Sequence, residues 1–341
     1  MLDLFSISLP EQRLHPLFKM LADARHLPER HVIESWAEGF SDRDGKFVNE
    51  FQTTFESSFW ELYIHACLKE FGASINFSHY APDFVVEQPE AFCVEATIAA
   101  PAAGGQSAFG YDAAAVPNDF NAFNAQAAIR IANSISTKLK KYRSSYSNLS
   151  HAKDRPFVLA IGAFDRPFAH FASNRPPVAA LFGLNYDEEA AIALGPDATE
   201  IPNYVVSGAL KQNGAPVPLG LFLDETAHEV SAVIYSCLAS WGKVRALADN
   251  PDAMSIYRTL HPSPQGIIPE IRVAKKRDYT EHLVDGLYVF HNPFASHPLD
   301  PQTFYHPRAA NVFLNEDGSL DFQAPDDFLL MRMVQSVVLR D

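Results

Sequence analysis

The 341-residue sequence predicts an α/β protein: a mixed sheet flanked by helices, with an N-terminal helical segment and a large C-terminal elaboration. Three observations predict it. Residues 55–71, FESSFWELYIHACLKEF, space their apolar side chains at helical intervals and stop at Gly72. Residues 80–87 and 91–99 are strand-like runs joined at Gln88-Pro89-Glu90. A long amphipathic helix over 121–146 then leads to FVLAIGAF at 157–164, whose near-continuous apolar run suits a strand covered on both faces.

Taken in order, residues 11–40 read as helical pieces broken at Pro16 and Pro28. Ser41-Asp42-Arg43-Asp44-Gly45 is a turn; it has half the look of a calcium loop, but its Gly is fourth rather than sixth and the closing Glu is missing. In the second strand Phe92, Val94, Ala96 and Ile98 alternate with Cys93, Glu95 and Thr97, so Glu95 and Thr97 share the face opposite the larger apolar set. Residues 100–121 form a loop. In the long helix Ala128, Ile131, Ile135, Leu139 and Tyr142 make the buried stripe, while Gln126, Arg130, Ser134 and Lys138 follow at i, i+4 on a neighbouring face. Residues 166–228, with a hairpin around Gln212-Asn213-Gly214, read as an insertion. The organisation expected is a helical segment at 1–50, a core at 51–165, and an elaboration at 166–341 containing further core strands near 229–237 and 284–292.

Composition narrows the function. A net charge of −14, from 27 basic and 41 acidic residues, disfavours non-specific coating of nucleic acid but allows a local basic groove. The short basic clusters at 138–143 and 275–277 fit solvated faces. No run is long enough for a membrane span, and the first residues lack a secretory pattern, so no membrane partner and a cytoplasmic location are expected. Three scattered cysteines make neither a disulfide framework nor CxxC metal spacing.

Asp83 and Glu95 interrupt otherwise apolar strands. Carboxylates on adjacent strands, directed to one face, can converge on a hard cation such as Mg²⁺. The order of helix with Glu61, strand with Pro82-Asp83, strand with Glu95-Ala96-Thr97, long helix and apolar strand resembles the PD-(D/E)XK nuclease superfamily, over about residues 51–165. The resemblance implies a restriction-endonuclease-like core and Mg²⁺- or Mn²⁺-dependent phosphodiester hydrolysis, with DNA as the substrate. It makes Asp83, Glu95 and the Ala96 carbonyl the metal ligands, with Glu61 in support. The motif lysine is replaced by Thr97, and some members of the superfamily carry that lysine on the following helix, which points to Lys138, with Lys141 one turn on. Gln126 and Arg130 then become phosphate or water contacts. A homodimer is among the states the sequence allows.

Each residue also has a structural reading. Asp83 can begin a strand, Glu95 can sit on an edge strand, and Glu61 shares a Ser57, Glu61, His65, Lys69 stripe of the kind a solvated helix face shows. The same fold, catalytically lapsed, would serve as a binding or assembly module, which the charge and Thr97 favour. An unrelated α/β enzyme acting on a small molecule is a third reading. His291, His297 and His306 with Asp300 match no common zinc spacing, and the HExxH, GxSxG, GxGxxG and GxxxxGK[ST] signatures are all missing.

Overall fold

The computed structural model describes residues 2–7, 9–109, 116–195, 198–211 and 213–338. The N-terminal part contains α1 (Pro16–Ala22), α2 (Leu27–Trp36), α3 (Phe47–Thr53) and α4 (Phe55–Glu70). Pro16 and Pro28 open helices instead of breaking them, because each stands in a first turn whose N–H has no intrahelical partner. Next come β1 (Ser74–Ile75), β2 (Phe84–Gln88), β3 (Phe92–Ala99), α5 (Phe120–Ser144) and β4 (Phe157–Ala163). The strand expected from residue 80 thus begins at Phe84, leaving Asp83 at the end of a turn.

The insertion is more regular than the sequence suggests. It holds α6 (Arg175–Phe182), β5 (Leu184–Tyr186), α7 (Glu188–Leu194), β6 (Asn203–Val205), β7 (Gly208–Leu210) and β8 (Pro216–Pro218). β7 and β8 pair antiparallel around the expected hairpin, although Gln212 lies outside the described residues. The chain continues through β9 (Ala232–Ser236), α8 (Trp241–Leu247), β10 (Ala253–Ser263), β11 (Gly266–Lys275), β12 (Tyr288–His291), β13 (Ala310–Leu314), β14 (Leu320–Gln323) and β15 (Met331–Val338).

Eight strands form one mixed sheet in the order β1-β2-β3-β4-β9-β12-β13-β14, with β3, β4 and β9 parallel at its centre. Alternation sorts β3 and β4 onto two cores. Phe92, Val94, Val158 and Ala160 join the core under the N-terminal helices, whereas Cys93, Ala99, Phe157, Leu159 and Ile161 join the core under α5 and α6. The predicted stripe of α5, Ala128 through Tyr142, is buried in that second core.

Two local features set the helices that matter here. Trp60 packs against β4, its Nε1 donating to the Ala160 carbonyl at 3.0 Å; a Cβ on Gly162 would stand 2.8 Å from the indole, so only glycine admits it this closely. On the other face the Asp119 carboxylate caps α5 by accepting the Ala122 N–H at 2.8 Å, and the Ser134 hydroxyl donates to the Ile98 carbonyl at 3.2 Å, fastening the helix along β3. Strands β11, β10 and β15 form a separate three-stranded sheet.

Candidate functional site

Glu95 sits on β3 between β2 and β4, not on an edge, and its side chain is 1% exposed. A lone buried carboxylate there would be too costly, and the fold surrounds it with donors. Lys138 and Lys141 of α5 reach its Oε1 at 2.7 and 2.9 Å, and Tyr146, in the turn after α5, donates to Oε2 at 2.8 Å. The basic run at 138–143 is therefore not simply a solvated face. Burial alone would raise the Glu95 pKa; the two lysines hold it below the usual carboxylate value. Thr97 stands two residues along the same strand, on the same face as Glu95.

Asp83 arrives from the other side. The β2–β3 ladder ends at Phe84 opposite Val94, and beyond it the Asp83 Oδ2 accepts the Ala96 N–H at 2.7 Å in place of a backbone partner. Its turn is clamped twice: Arg43 Nη1 donates to the His79 and Pro82 carbonyls at 2.9 and 3.0 Å, and His151 Nε2 donates to the Ala81 carbonyl at 2.7 Å. Asp42 and Asp44 spend their carboxylates on the N–H groups of Gly45, Phe47 and Lys46, which shapes a turn that delivers Arg43 rather than a calcium loop. Arg43 Nη2 lies 3.9 Å from the Asp83 Oδ1, too far for a tight pair. Burial, then the Glu95 charge, pushes Asp83 up to about 7.

Glu61 completes the group electrostatically. It is half-buried and makes no hydrogen bond or ion pair among the described residues. Burial, then the Asp83 charge, raises its pKa well above the ordinary value, against the pull of Arg43. Its stripe is not the solvated face that the spacing suggests, because His65 is buried with Nδ1 2.7 Å from the Trp36 carbonyl, under α2. Glu61, Asp83 and Glu95 thus share one field, but their oxygens do not all lie within 4.8 Å of one another. Closing them on a single ion requires side-chain rotation. The donor set suits a hard dication: three carboxylates, of which Glu61 is unpartnered and Asp83 is held by one N–H and a distant guanidinium.

A cleft of about 210 Å³ lies alongside, lined by Thr97, Ile98, Arg130, Ser134, Thr137 and Lys138. Arg130 and Asn133 also line a second cavity of about 610 Å³, whose wall includes Gln126, Arg166 and Lys211. The Arg130 guanidinium has no hydrogen bond or ion pair among the described residues, whereas Gln126 Oε1 accepts from Arg166 at 3.2 Å. Basic and amide groups thus line a path leading away from Lys138.

Arg43 and Tyr146 were not legible as site residues. Arg43 lies in a turn 40 residues before Asp83, and Tyr146 depends on where α5 ends; the one available signal, a tyrosine in register beyond the basic run, is weak. The histidines considered for zinc separate: His291 Nε2 meets Asn311 Oδ1 at 2.9 Å, the His297 carbonyl accepts from Ser231, and His306 turns toward Glu70. No helix among the described residues is long and apolar enough to cross a membrane. No family model matches the chain, and no curated protein or solved structure is significantly similar to it.

Proposed function

We propose that this chain is a Mg²⁺- or Mn²⁺-dependent phosphodiesterase acting on DNA, an endonuclease of the PD-(D/E)XK type with a restriction-endonuclease-like core. The observation that carries the reading is the 2.7 Å contact from Lys138 Nζ to Glu95, which brings an ammonium from α5 to the face where β3 has Thr97. Asp83, Glu95 and the Ala96 carbonyl would hold the metal, with Glu61 supporting it directly or through water. When bound, the ion lowers the pKa of the attacking water and offsets charge on the phosphate oxygens. The remaining work falls to this chain's side chains. Lys138 orients the water and stabilises negative charge as the phosphorus–oxygen bond breaks. Lys141 keeps Glu95 ionised, which leaves Lys138 free to turn toward substrate. Arg130, together with the Gln126 amide, takes a phosphate along the cleft.

A second reading, a catalytically lapsed module that binds without cutting, is favoured by one observation: Glu95 is already satisfied by Lys138, Lys141 and Tyr146. The two readings separate in a cleavage assay on plasmid, linear and single-stranded DNA and on RNA, with Mg²⁺ or Mn²⁺. The nuclease reading expects metal-dependent cutting that Asp83→Ala abolishes, by roughly 10³-fold or more, equivalent to about 4 kcal/mol. Cutting that survives Asp83→Ala overturns the site, and DNA binding without cutting favours the lapsed module.

A further inference from the structure

Away from the acidic group, three segments distant in sequence bring together Glu70 at the C-terminal end of α4, His282 in the turn before β12, and His306 in the loop between β12 and β13. Glu70 is nine residues beyond Glu61, roughly 13 Å along the helix at 1.5 Å per residue. The Glu70 Oε1 lies 3.3 Å from His282 Nε2 and 3.6 Å from His306 Nε2, and the imidazoles stack with centroids 5.2 Å apart at 22°. All three ligand atoms lie within 4.8 Å of one another, and no other trio of His, Cys, Asp or Glu among the described residues meets that spacing. Tetrahedral ligands 2.0–2.2 Å from an ion stand about 3.3–3.6 Å apart, so the two Glu70–histidine distances match edges of a zinc polyhedron and the third edge, between the two Nε2 atoms, lies within 4.8 Å.

The loops carrying the histidines are held in place independently of any ion. Asp285 takes Arg308 in a two-pronged ion pair at 2.7 and 2.9 Å and accepts the His282 N–H at 2.7 Å, while Tyr63 of α4 donates to the Leu283 carbonyl at 2.9 Å. The ligands are thus largely pre-organised.

We propose that Glu70, His282 and His306 form a site for a borderline transition-metal dication of the Zn²⁺ type, bound by one carboxylate oxygen and two Nε2 atoms and completed by water. Two imidazoles select such an ion over Mg²⁺ or Ca²⁺, which favour all-oxygen sites. Side-chain exposures of 37% for His282 and 38% for Glu70 leave room for the water. The Val284 and Arg308 N–H groups face the His282 and His306 Nδ1 atoms at 3.5 and 3.2 Å, which leaves the Nε2 atoms directed at Glu70. The ion then ties the end of α4 to the loops flanking β12.

The test uses full-length protein stripped with chelator, titrated with Zn²⁺ by calorimetry and with Co²⁺ by visible absorption, with thermal unfolding in parallel. The proposal expects one Zn²⁺ per chain, ligand-field bands of a low-coordinate Co²⁺ site, and a higher Tm with Zn²⁺ but not with equal Mg²⁺. His306→Gln and Glu70→Gln, each checked for native circular dichroism, should weaken Zn²⁺ binding at least roughly tenfold. Asp83→Asn should leave it unchanged, which separates this site from the proposed nuclease centre. Wild-type Zn²⁺ affinity in both His306→Gln and Glu70→Gln, no uptake at micromolar Zn²⁺, or loss only in Asp83→Asn would each overturn the proposal.

Discussion

Two buried glutamates in this molecule meet the same kind of partners and yet form different places. Glu95 has Lys138, Lys141 and Tyr146; Glu281 has Lys243 at 2.5 Å, Arg332, and the Tyr279 hydroxyl at 2.5 Å. Around Glu281 the cations are sealed, with Lys243 0% and Arg332 1% exposed, and Lys243 also donates to the His282 and Asp285 carbonyls. Around Glu95 they are open, with Lys138 20% and Lys141 49% exposed, beside a cleft and two further acids. The closed network joins β15 to the main body: Glu281 holds two buried cations at once, and Arg332 Nη2 also donates to the Leu238 carbonyl at 2.7 Å. The open network keeps two carboxylates, Asp83 and Glu61, at raised pKa, with no cation hydrogen-bonded to either among the described residues and Arg43 3.9 Å from Asp83, an arrangement that stability alone does not favour.

If that contrast is right, the largest stability change belongs to the closed network. Glu281→Gln leaves Lys243 and Arg332 as uncompensated buried cations and should cost about 3–5 kcal/mol in denaturant unfolding. Glu95→Gln, whose lysines can swing to water, should cost only about 1–2 kcal/mol. Equal losses would erase the distinction.

The next effect is a pH dependence with a definite sign. Folding raises Asp83 from 3.8 to about 7, so the folded chain holds this proton more tightly than the unfolded chain. Without metal, the contribution of Asp83 is fully present below pH 3.8 and is lost as pH rises through about 7, and Glu61 acts in the same direction. Asp83→Asn should therefore be more stable than the parent at pH 8 in chelator, by about 1–3 kcal/mol, and should not differ in this way at pH 4. Excess Mg²⁺ should stabilise the parent at pH 8 and leave Asp83→Asn behind. A parent whose stability rises between pH 5 and 8 relative to the variant would show that the acids are matched after all.

The smallest effect separates the lysines. Lys141 is half exposed, so Lys141→Ala should change stability by less than about 1 kcal/mol. Its effect on cleavage should be weaker than that of Lys138→Ala, because it supports Glu95 rather than reaching toward Thr97.

How much of this was legible follows the same physical lines. The long helix and the β2–β3 hairpin were readable because their apolar periods are strong, and Asp83 and Glu95 because acids interrupt those periods. Lys138 was singled out by the resemblance, which allows the lysine on the helix after the hairpin, and not by the face it shares with Arg130 and Ser134. The β10–β11–β15 sheet was hidden because its alternation is inverted: Ser255, Thr259 and His261 are buried, while Met254, Ile256, Ile271 and Val273 are exposed, and Pro262, Pro264 and Pro269 interrupt the runs. Glu61 looked solvated because nothing in α4 itself reveals that α2 covers His65. Arg43 and Tyr146 become neighbours of the acids only through long-range folding.

The central claim, that Lys138 does the work of a lysine missing from position 97, is tested most directly by relocating it. Metal-dependent DNA cleavage is measured for the parent, Lys138→Ala, and Lys138→Ala combined with Thr97→Lys. The account predicts a loss of about 10²–10⁴-fold in Lys138→Ala and substantial recovery in the double variant, with Mg²⁺ binding retained throughout. Cleavage by Lys138→Ala at the parental rate, or a parent that does not cut with either metal, would contradict it.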